Sequence, residues 1–506
     1  MSVQNSNPQT AELPKARTNW HSSRGARAPV APPKSRLRVA AFVTLGLLLL
    51  WGVLTRSLVA YLADTTPDVA VPLPSTNSTA LLNLAQDKLN LDPGLNKLEP
   101  IDAPLVSQEI SVAKGIQGLP QTQSGDLPQS ADGPVQDVAQ IHSWAERALL
   151  NDPLNARAFR ILGQLLQSTS GVAQTATLMQ AAASRSLLET LAVYWVMRKN
   201  YQDGDYRSAI RYADALLRSR PQFPQLSLPL FGKIAETPEA SGELKQLLAA
   251  NPRWRSQFFT SLPDNISDAR TPLDILLALK DTPAPPTNAE LKPYLQFLTD
   301  HEFYELAYYT WLQFLPQDQL SRVGNLFNGN FEVPPSGLPF DWIFTAGSGV
   351  TIGIANRADR EGEHALFIEF GAGRVEDLSV SEIVMLPPGN YQFRGSYKAD
   401  IVSQRGLQWR VVCANKTKTV IGESSTVIGA EAGWKDLGFA LNVPDADCPA
   451  QSVQLAFNAR SASEQFVSGS VWFDDLQILR EASLQQGSEG SDTMHSSAPE
   501  NEPSSR

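Results

Sequence analysis

Residues suited to catalysis or to tight metal binding are scarce in this chain. Its 506 residues include two cysteines and five histidines, and the histidines are scattered at positions 21, 142, 301, 364 and 495. No Gly-x-Ser-x-Gly elbow and no phosphate-binding loop occurs. Asp474 and Asp475 are adjacent, so on a strand they point to opposite faces and do not form the carboxylate pair that a glycosidase needs. We therefore predict that the protein is not an enzyme.

The charge is unevenly distributed. The formal net charge is -10, yet residues 1–38 carry seven Lys and Arg against Glu12 alone, a balance of +6 that leaves -16 for the remainder. An acidic body argues against nucleic acid as a partner, because phosphate binding requires surfaces rich in Lys and Arg.

One long apolar run follows the basic segment. Val39–Thr55 contains no charged residue, and after Arg56 the apolar character continues to Ala63. Since about 17–25 apolar residues span a bilayer, we predict a transmembrane signal anchor at residues 37–63. The basic residues before it predict a cytoplasmic N-terminus and an extracytoplasmic body. The alternatives are a buried core helix and a cleaved signal peptide.

Both cysteines, Cys413 and Cys448, lie in the C-terminal third of the chain. In an extracytoplasmic domain they predict one disulfide. Two buried free thiols are the alternative.

Composition divides the chain into segments. Residues 1–36 are predicted to be a disordered cytoplasmic tail, and residues 64–136 a stalk and linker with a short amphipathic helix near Leu81–Leu91. Residues 137–323 show helical periodicity and residues 324–480 show strand periodicity, whereas residues 481–506 are predicted to be a disordered tail. The predicted fold class is multidomain: one transmembrane helix, an all-α repeat-like domain and an all-β jelly-roll sandwich.

Spacings in the helical region resemble the tetratricopeptide repeat, a 34-residue helical hairpin. The positions that carry the resemblance are Ala145, Ala148 and Pro153 for one unit, Phe159, Leu162 and Gly163 for the next, and Gly204, Tyr206, Ala209 and Pro221 for a third. No repeat is visible in residues 225–320, which are helical with breaks at Pro229, Pro238, Pro252 and Pro272. An ordinary α-helical domain is the alternative. Either arrangement offers an extended surface for a protein partner.

Apolar and polar residues alternate in three C-terminal segments. In each segment the apolar residues share one face. They are Tyr391, Phe393 and Tyr397 in the first segment, Leu407, Trp409 and Val411 in the second, and Val453, Leu455 and Phe457 in the third. A period of two predicts half-buried antiparallel strands, and two such sheets predict a sandwich.

Two short motifs frame this region: Asn328-Gly-Asn-Phe-Glu332 at its start and Trp472-Phe-Asp-Asp-Leu-Gln-Ile478 at its end. Together they resemble the frame of galactose-binding-like jelly rolls, the fold of many carbohydrate-binding modules. The resemblance implies that the two motifs lie close together and that the domain holds a glycan or another partner.

The outward-facing positions of the predicted strands supply planar amide and guanidinium groups. They are Gln392, Arg394, Gln408, Arg410, Gln454, Asn458 and Arg460. If the strands are neighbours in one sheet, these side chains line one surface suited to sugar hydroxyls and, through arginine, to an acidic polysaccharide. A merely solvated face is the alternative. Trp342, Phe344 and Trp434 are predicted on loops as aromatic platforms, whereas Trp409 is predicted to be core.

The resemblance also implies a structural calcium site. In related modules, an acidic residue near the first strand and one in the last bind calcium, and Glu332 and Asp474 occupy the matching places. The alternative is that both carboxylates accept hydrogen bonds from turn backbone. No other cofactor is expected.

These observations predict a non-catalytic scaffold in the inner membrane of a Gram-negative-type bacterium, with its bulk in the periplasm. The helical domain would bind a protein partner and the jelly roll a polysaccharide. The arrangement resembles proteins of exopolysaccharide or envelope-glycan assembly and export. The alternative is a purely structural interaction protein of the cell envelope that binds no glycan.

Overall fold

The computed structural model describes residues 34–70, 77–91, 100–102, 133–169 and 172–481. Nearly all of both predicted disordered tails, and most of the Pro- and Gly-rich linker, lie outside these ranges. Within them the predicted fold class is confirmed: helices come first, one of them long and apolar, and an antiparallel β-sandwich follows.

The chain divides into two compact units, and the part of the first unit that the structure describes contains four helices. They are α1 (Lys34–Thr65), α2 (Pro67–Ala70), α3 (Asn77–Leu91) and α4 (Gly133–Asn151). In α1, Val39–Thr65 has a mean hydropathy of 1.9 and buries none of its most apolar stretch within the protein. This helix is long and apolar enough to cross a membrane, as predicted.

Helix α3 packs against α4 and against the end of α1. Asn83 Nδ2 donates to the Ala63 carbonyl at 2.7 Å, and Ala63, Ala70 and Ala80 are buried together. The predicted short helix therefore begins earlier than Leu81. Helix α4, which was assigned to the repeat-like domain from residue 137, belongs instead to the unit that contains α1.

The second unit contains eleven further helices among its described residues and all the strands. The helices are α5 (Ala156–Thr169), α6 (Val172–Arg185), α7 (Thr190–Gln202), α8 (Tyr206–Ser219), α9 (Leu228–Ala235), α10 (Pro238–Ala249), α11 (Arg255–Ser261), α12 (Thr271–Lys280), α13 (Asn288–Asp300), α14 (Tyr304–Phe314) and α15 (Gln317–Leu320).

Helices α5 to α8 contact their sequence neighbours in turn. A Cβ added at Gly163 would lie 3.1 Å from Met179 Sδ, so the glycine lets α5 approach α6 closely. Gly204 has a φ of +82°, which ends α7, and Asp205 Oδ1 then accepts from Ser208 N to cap α8. Gly163 and Gly204 are two of the positions that carry the resemblance to the tetratricopeptide repeat, and membership of that family stays a prediction.

Three of the prolines predicted to break helices instead begin them. Pro238 is the first residue of α10, and Pro229 and Pro272 lie in the first turns of α9 and α12. Proline is tolerated there because the first-turn N–H groups have no acceptor within the helix.

Two antiparallel sheets form the sandwich. The five-stranded sheet has the order β1 (Ile343–Ala346), β4 (Leu378–Val384), β10 (Gln451–Phe457), β6 (Leu407–Cys413) and β7 (Val420–Glu423). The six-stranded sheet has the order β2 (Val350–Asn356), β3 (His364–Arg374), β11 (Phe466–Arg480), β5 (Gly389–Ser403) and β8 (Gly429–Ala430), and β9 (Lys435–Val443) also pairs with β5.

The predicted alternation holds in the sandwich core. Tyr391, Phe393, Trp409, Val411 and Val453 are buried. Cys413 and Cys448 form the predicted disulfide, which joins the end of β6 to the segment before β10.

Helices and sandwich share a buried junction. Phe327 and Phe340 follow the predicted boundary at residue 324, yet both are buried in the helical core. Their rings contact α14, with centroids 5.2 Å apart for Trp311 and Phe327 and 5.2 Å apart for Tyr308 and Phe340. The segment after the predicted boundary therefore contributes Phe327 and Phe340 to the helical core, whereas Phe331 and Trp342 belong to the core of the sandwich.

Glu382 is buried beside this junction. It lies on β4 between Val380 and Val384, and its Oε1 accepts from Phe327 N at 2.8 Å. Its Oε2 has no hydrogen-bond partner within the described residues. Burial raises the pKa of Glu382 well above its ordinary value, and the nearby Asp341 carboxylate adds to the rise.

We expect Glu382→Gln to stabilise the protein at alkaline pH. A raised folded-state pKa means that stability is lost as pH rises from the unfolded value, about 4.3, through the folded one. The substituted amide keeps an acceptor for Phe327 N and does not ionise. Urea unfolding of the full-length chain in detergent should show the variant's advantage growing between pH 5 and pH 9.

Glu305→Gln is the matched control, because Glu305 is exposed on the adjoining helix α14. Unfolding free energies of Glu382→Gln that run parallel to wild type at every pH would refute a protonated Glu382.

Candidate functional site

The two framing motifs meet in the structure, as the resemblance implied. Leu476 N donates to the Gly329 carbonyl at 2.8 Å, and Asn325 Nδ2 donates to the Ile478 carbonyl at 2.9 Å. A Cβ at Gly329 would come within 2.0 Å of the Leu476 carbonyl oxygen, so only glycine permits this approach.

Trp342 is a core residue, and its prediction as an aromatic platform on a loop is wrong. Its side chain is fully buried, with ring centroids 5.4 Å from Phe331 and 5.8 Å from Trp409. Its Nε1 donates to the Asn328 carbonyl at 3.1 Å. Trp342 therefore anchors the opening motif to the core, because a buried indole N–H needs an acceptor.

Glu332 and Asp474 have separate partners. Both oxygens of Glu332 contact His364, whose backbone N donates at 2.8 Å and whose Nδ1 lies at 3.0 Å. Burial alone would raise the pKa of Glu332, but the hydrogen bonds from His364 lower it. Asp474 Oδ1 accepts from Asp475 N at 2.7 Å, and its Oδ2 accepts from Arg357 Nη1 at 2.5 Å.

This arrangement does not fit a calcium site. The Arg357 guanidinium lies against the Asp474 carboxylate, where a metal ion would have to bind, and no group of three or more His, Cys, Asp or Glu side chains that could hold a metal gathers among the described residues. The contacts match the alternative, in which the two carboxylates accept hydrogen bonds from backbone.

Arg357 ties three segments together. Its guanidinium bonds Asp474 on β11, reaches Asp359 at 2.7 Å, and lies 3.8 Å from the Trp434 ring centroid in the loop before β9. Burial would lower the pKa of Arg357, but its bonds to Asp359 and Asp474 raise it, and the same contact lowers the pKa of Asp359 to about 2. Trp434 lies at the surface and is half-buried. The Arg357 guanidinium covers one face of its ring.

The sequence offered no signal for Arg357, because it lies in a turn outside the alternating strands.

We expect Arg357→Ala to cause a large loss of stability, because Arg357 ties separate segments together. The truncation leaves the buried Asp474 carboxylate without its ion-pair partner, although Oδ1 keeps the bond from Asp475 N, and breaking a buried pair in this way costs about 3–5 kcal/mol. Urea unfolding of the full-length chain measures the loss.

Arg360→Ala is the control, since Arg360 is exposed and its contacts with Glu363 and Asp475 are those of a surface ion pair, which contributes little. Equal losses in the free energy of unfolding for Arg357→Ala and Arg360→Ala would show that the contacts of Arg357 stabilise the protein no more than a surface ion pair does. A melting temperature that falls on adding EDTA would reinstate the calcium prediction.

The seven predicted face residues do not share one surface, which corrects that prediction. Gln392 and Arg394 lie on β5 of the six-stranded sheet. Gln408 and Arg410 on β6 and Gln454 on β10 lie on neighbouring strands of the five-stranded sheet, and Asn458 and Arg460 follow β10. The strands alternate as predicted, but alternation does not reveal which sheet a strand joins.

Four of these residues do assemble and are here called the amide track: Gln408, Arg410 and Asn458, which are hydrogen-bonded to one another, and Gln454, which lies beside Arg410. Gln408 Oε1 accepts from Arg410 Nη2 at 3.1 Å and from Asn458 Nδ2 at 2.9 Å. Gln408 Nε2 donates to the Ser424 carbonyl at 2.7 Å, and Gln454 stands opposite Arg410 in the register. All four side chains are half-buried.

Arg410 is paired with a carboxylate on the neighbouring strand β7. Glu423 Oε2 lies 3.5 Å from the Arg410 Nε, which is buried and has no hydrogen-bond partner within the described residues. The track therefore presents fixed amide planes together with a half-buried guanidinium whose charge is partly balanced by Glu423.

The outer face of the six-stranded sheet carries aromatic rings. Phe367 on β3 stands opposite Trp472 on β11, with ring centroids 4.4 Å apart, and both rings are half-buried. The outward position of Trp472 agrees with the alternation of β11, but sequence reasoning missed Phe367. It lies in a nearly continuous apolar run, Ala365–Phe370, which hides the alternation.

No family model matches the chain, and no curated protein matches it. Solved structures similar to this chain include carbohydrate-binding modules, matched over the C-terminal β region. One from family 4 is 15% identical and covers 31% of this chain and 99% of its own, with a TM-score of 0.24. TmCBM61 in complex with β-1,4-galactotriose is 18% identical and covers 31% and 100%, with a TM-score of 0.23. A β-1,3-glucan-binding module of family 6 from Bacillus halodurans is 14% identical and covers 28% and 97%, with a TM-score of 0.19.

Proposed function

We propose that the protein is a non-catalytic, membrane-anchored polysaccharide-binding protein and that the amide track is a glycan-binding surface. The observation that carries the proposal is the mutual bonding of Gln408, Arg410 and Asn458 across the outer face of the five-stranded sheet. The framing motifs support it by their resemblance to carbohydrate-binding jelly rolls.

The chemistry of the track suits sugar hydroxyls. An amide offers a donor and an acceptor in one plane, and a guanidinium offers donors in a fixed fork. Because Gln408 and Asn458 are already held in place, little side-chain entropy is lost when a ligand binds. The same groups on mobile side chains would bind more weakly.

Arginine favours an acidic ligand. The half-buried guanidinium of Arg410 lies in the track, where Glu423 pairs with it, and Arg460 lies exposed just beyond β10. Guanidinium groups bind carboxylates through charge-assisted hydrogen bonds, which are about twice as strong as neutral ones. A uronate-containing polysaccharide is therefore the proposed ligand of this face.

Binding to alginate, a soluble polyuronate, tests this proposal. Affinity electrophoresis of the full-length chain in detergent should show retention that grows with alginate concentration. Arg410→Ala combined with Gln454→Ala should weaken binding at least about tenfold, since a hydrogen bond to a charged group contributes about 1.5–3 kcal/mol.

Arg207→Ala removes the same charge from the helical region, where Arg207 is exposed and pairs with Glu243. It should leave the retention unchanged. If wild type is not retained by acidic or neutral polysaccharides, glycan binding is refuted and the purely structural alternative stands.

The proposed setting is the inner membrane of a Gram-negative-type bacterium, with the sandwich in the periplasm. The apolar helix α1 supports an anchor, the basic residues before it support a cytoplasmic N-terminus, and the disulfide supports an oxidising compartment for the sandwich. The consecutive packing of α5 to α8 supports a docking surface for a protein partner. By resemblance, the process served is exopolysaccharide or envelope-glycan assembly and export.

A topology reporter tests the setting. Alkaline phosphatase fused after Arg506 should be active, because the enzyme acquires its disulfides only outside the cytoplasm. A green fluorescent protein fused ahead of Met1 should fluoresce in the same cells. An inactive phosphatase fusion on a stable, full-length chain would place the sandwich in the cytoplasm and remove the proposed setting.

A further inference from the structure

The outer face of the six-stranded sheet holds one level row of residues that crosses four neighbouring strands. Gly353 on β2 stands opposite Phe367, Phe367 opposite Trp472, and Trp472 opposite Lys398 on β5. We call this row the aromatic shelf. Since neighbouring strands lie about 4.8 Å apart, the shelf is about 14 Å long.

The shelf rings face away from the sandwich core. The residues on either side of them along the strands, Leu366, Ile368, Val471 and Phe473, are buried. Phe367 and Trp472 are partly open to solvent and tilted by 41° to each other. A cross-strand aromatic pair also stabilises a sheet, so the rings alone do not define a site.

The ends and flanks of the shelf supply open space and polar groups beside the two rings. No atom lies within 4 Å of the position of a Cβ at Gly353, so that end is open. Lys398 at the other end is exposed. The adjacent row holds Ser470 between Glu369 and Asp400, and both acids are exposed.

On the other side, Arg357 bounds the shelf. It is held over Asp474, two residues after Trp472 on β11, and against Trp434. Its bonds to Asp474 and Asp359 keep this wall in place.

The aromatic surface is surrounded by one ammonium, one hydroxyl and two carboxylates. This combination suits a sugar ligand. The rings stack on the apolar faces of pyranose units, and the carboxylates accept hydrogen bonds from sugar hydroxyls. The local charge of Lys398, Glu369 and Asp400 is negative, which opposes a polyanion.

We propose that the aromatic shelf is a second glycan-binding face, selective for a neutral pyranose chain and separate from the amide track on the other sheet. The inference rests on the proposed function and extends it: one sandwich would hold an acidic and a neutral glycan segment on opposite faces. Simultaneous engagement raises the apparent affinity for a chain that carries both kinds of segment.

The test uses full-length protein in detergent and affinity electrophoresis against two sets of probes. The neutral probes are β-1,3-glucan, β-1,4-galactan and xylan, and the acidic probe is alginate. Wild type should be retained by at least one neutral probe. Trp472→Ala and Phe367→Ala should each weaken that binding at least about tenfold, because each removes a stacking ring, and alginate binding should remain as in wild type.

Gly353→Val guards against variants that simply unfold. The open space at Gly353 admits a side chain and valine suits a strand, so the melting temperature should be kept while the new side chain obstructs the shelf and weakens neutral binding. Val402→Ala is the matched control. Val402 is an exposed apolar residue on β5 opposite Ser468, away from the shelf, and its loss should change neither kind of binding.

The outcomes separate the two proposals. Alginate binding without neutral binding overturns the shelf and leaves the proposed function standing. Neutral binding that survives both Trp472→Ala and Gly353→Val in folded protein also overturns the shelf. Absence of binding to every probe overturns the proposed function and the shelf together.

Discussion

The last strand of the sandwich is the constraint on which the rest of the β region depends. Strand β11 ends the described chain, yet it lies between β3 and β5 in the middle of the six-stranded sheet. It also provides Leu476, whose N–H bonds Gly329 in the opening motif. The sheet is therefore incomplete until both ends of the region have come together. These ends are far apart in sequence, so the chain between them loses conformational entropy before the contact forms.

The same strand carries the groups that organise the outer face of its sheet. Asp474 is held by Arg357, which brings in the turn after β2 and the loop before β9 through Trp434. Trp472, two residues earlier, forms the centre of the aromatic shelf with Phe367. The Arg357 guanidinium thus lies against a buried carboxylate and ties separate segments to it.

The junction with the helices buries aromatic residues of the segment that leads into the sandwich. Phe327 and Phe340 insert into the helical core beside Trp311, and Tyr304 OH donates to the Ala414 carbonyl of the sandwich at 2.6 Å. A sandwich cut off at residue 324 would expose these aromatic surfaces to water. The helices from α5 onward and the sandwich therefore form one compact unit.

Much could be predicted from local patterns. An uninterrupted apolar run predicted α1, a period of two predicted which residues of β5, β6 and β10 face the core, and the paired motifs predicted the closure at Gly329. These features could be read from the sequence because each depends on a periodicity or on residue types within a short segment. The separation of Gln392 and Arg394 from Gln408 and Arg410, the burial of Trp342 and the contact of Arg357 with Asp474 became visible in the folded protein alone. Those outcomes depend on which strands pair and which turns fold back over a sheet, and pairing energies between distant segments leave no local pattern to detect.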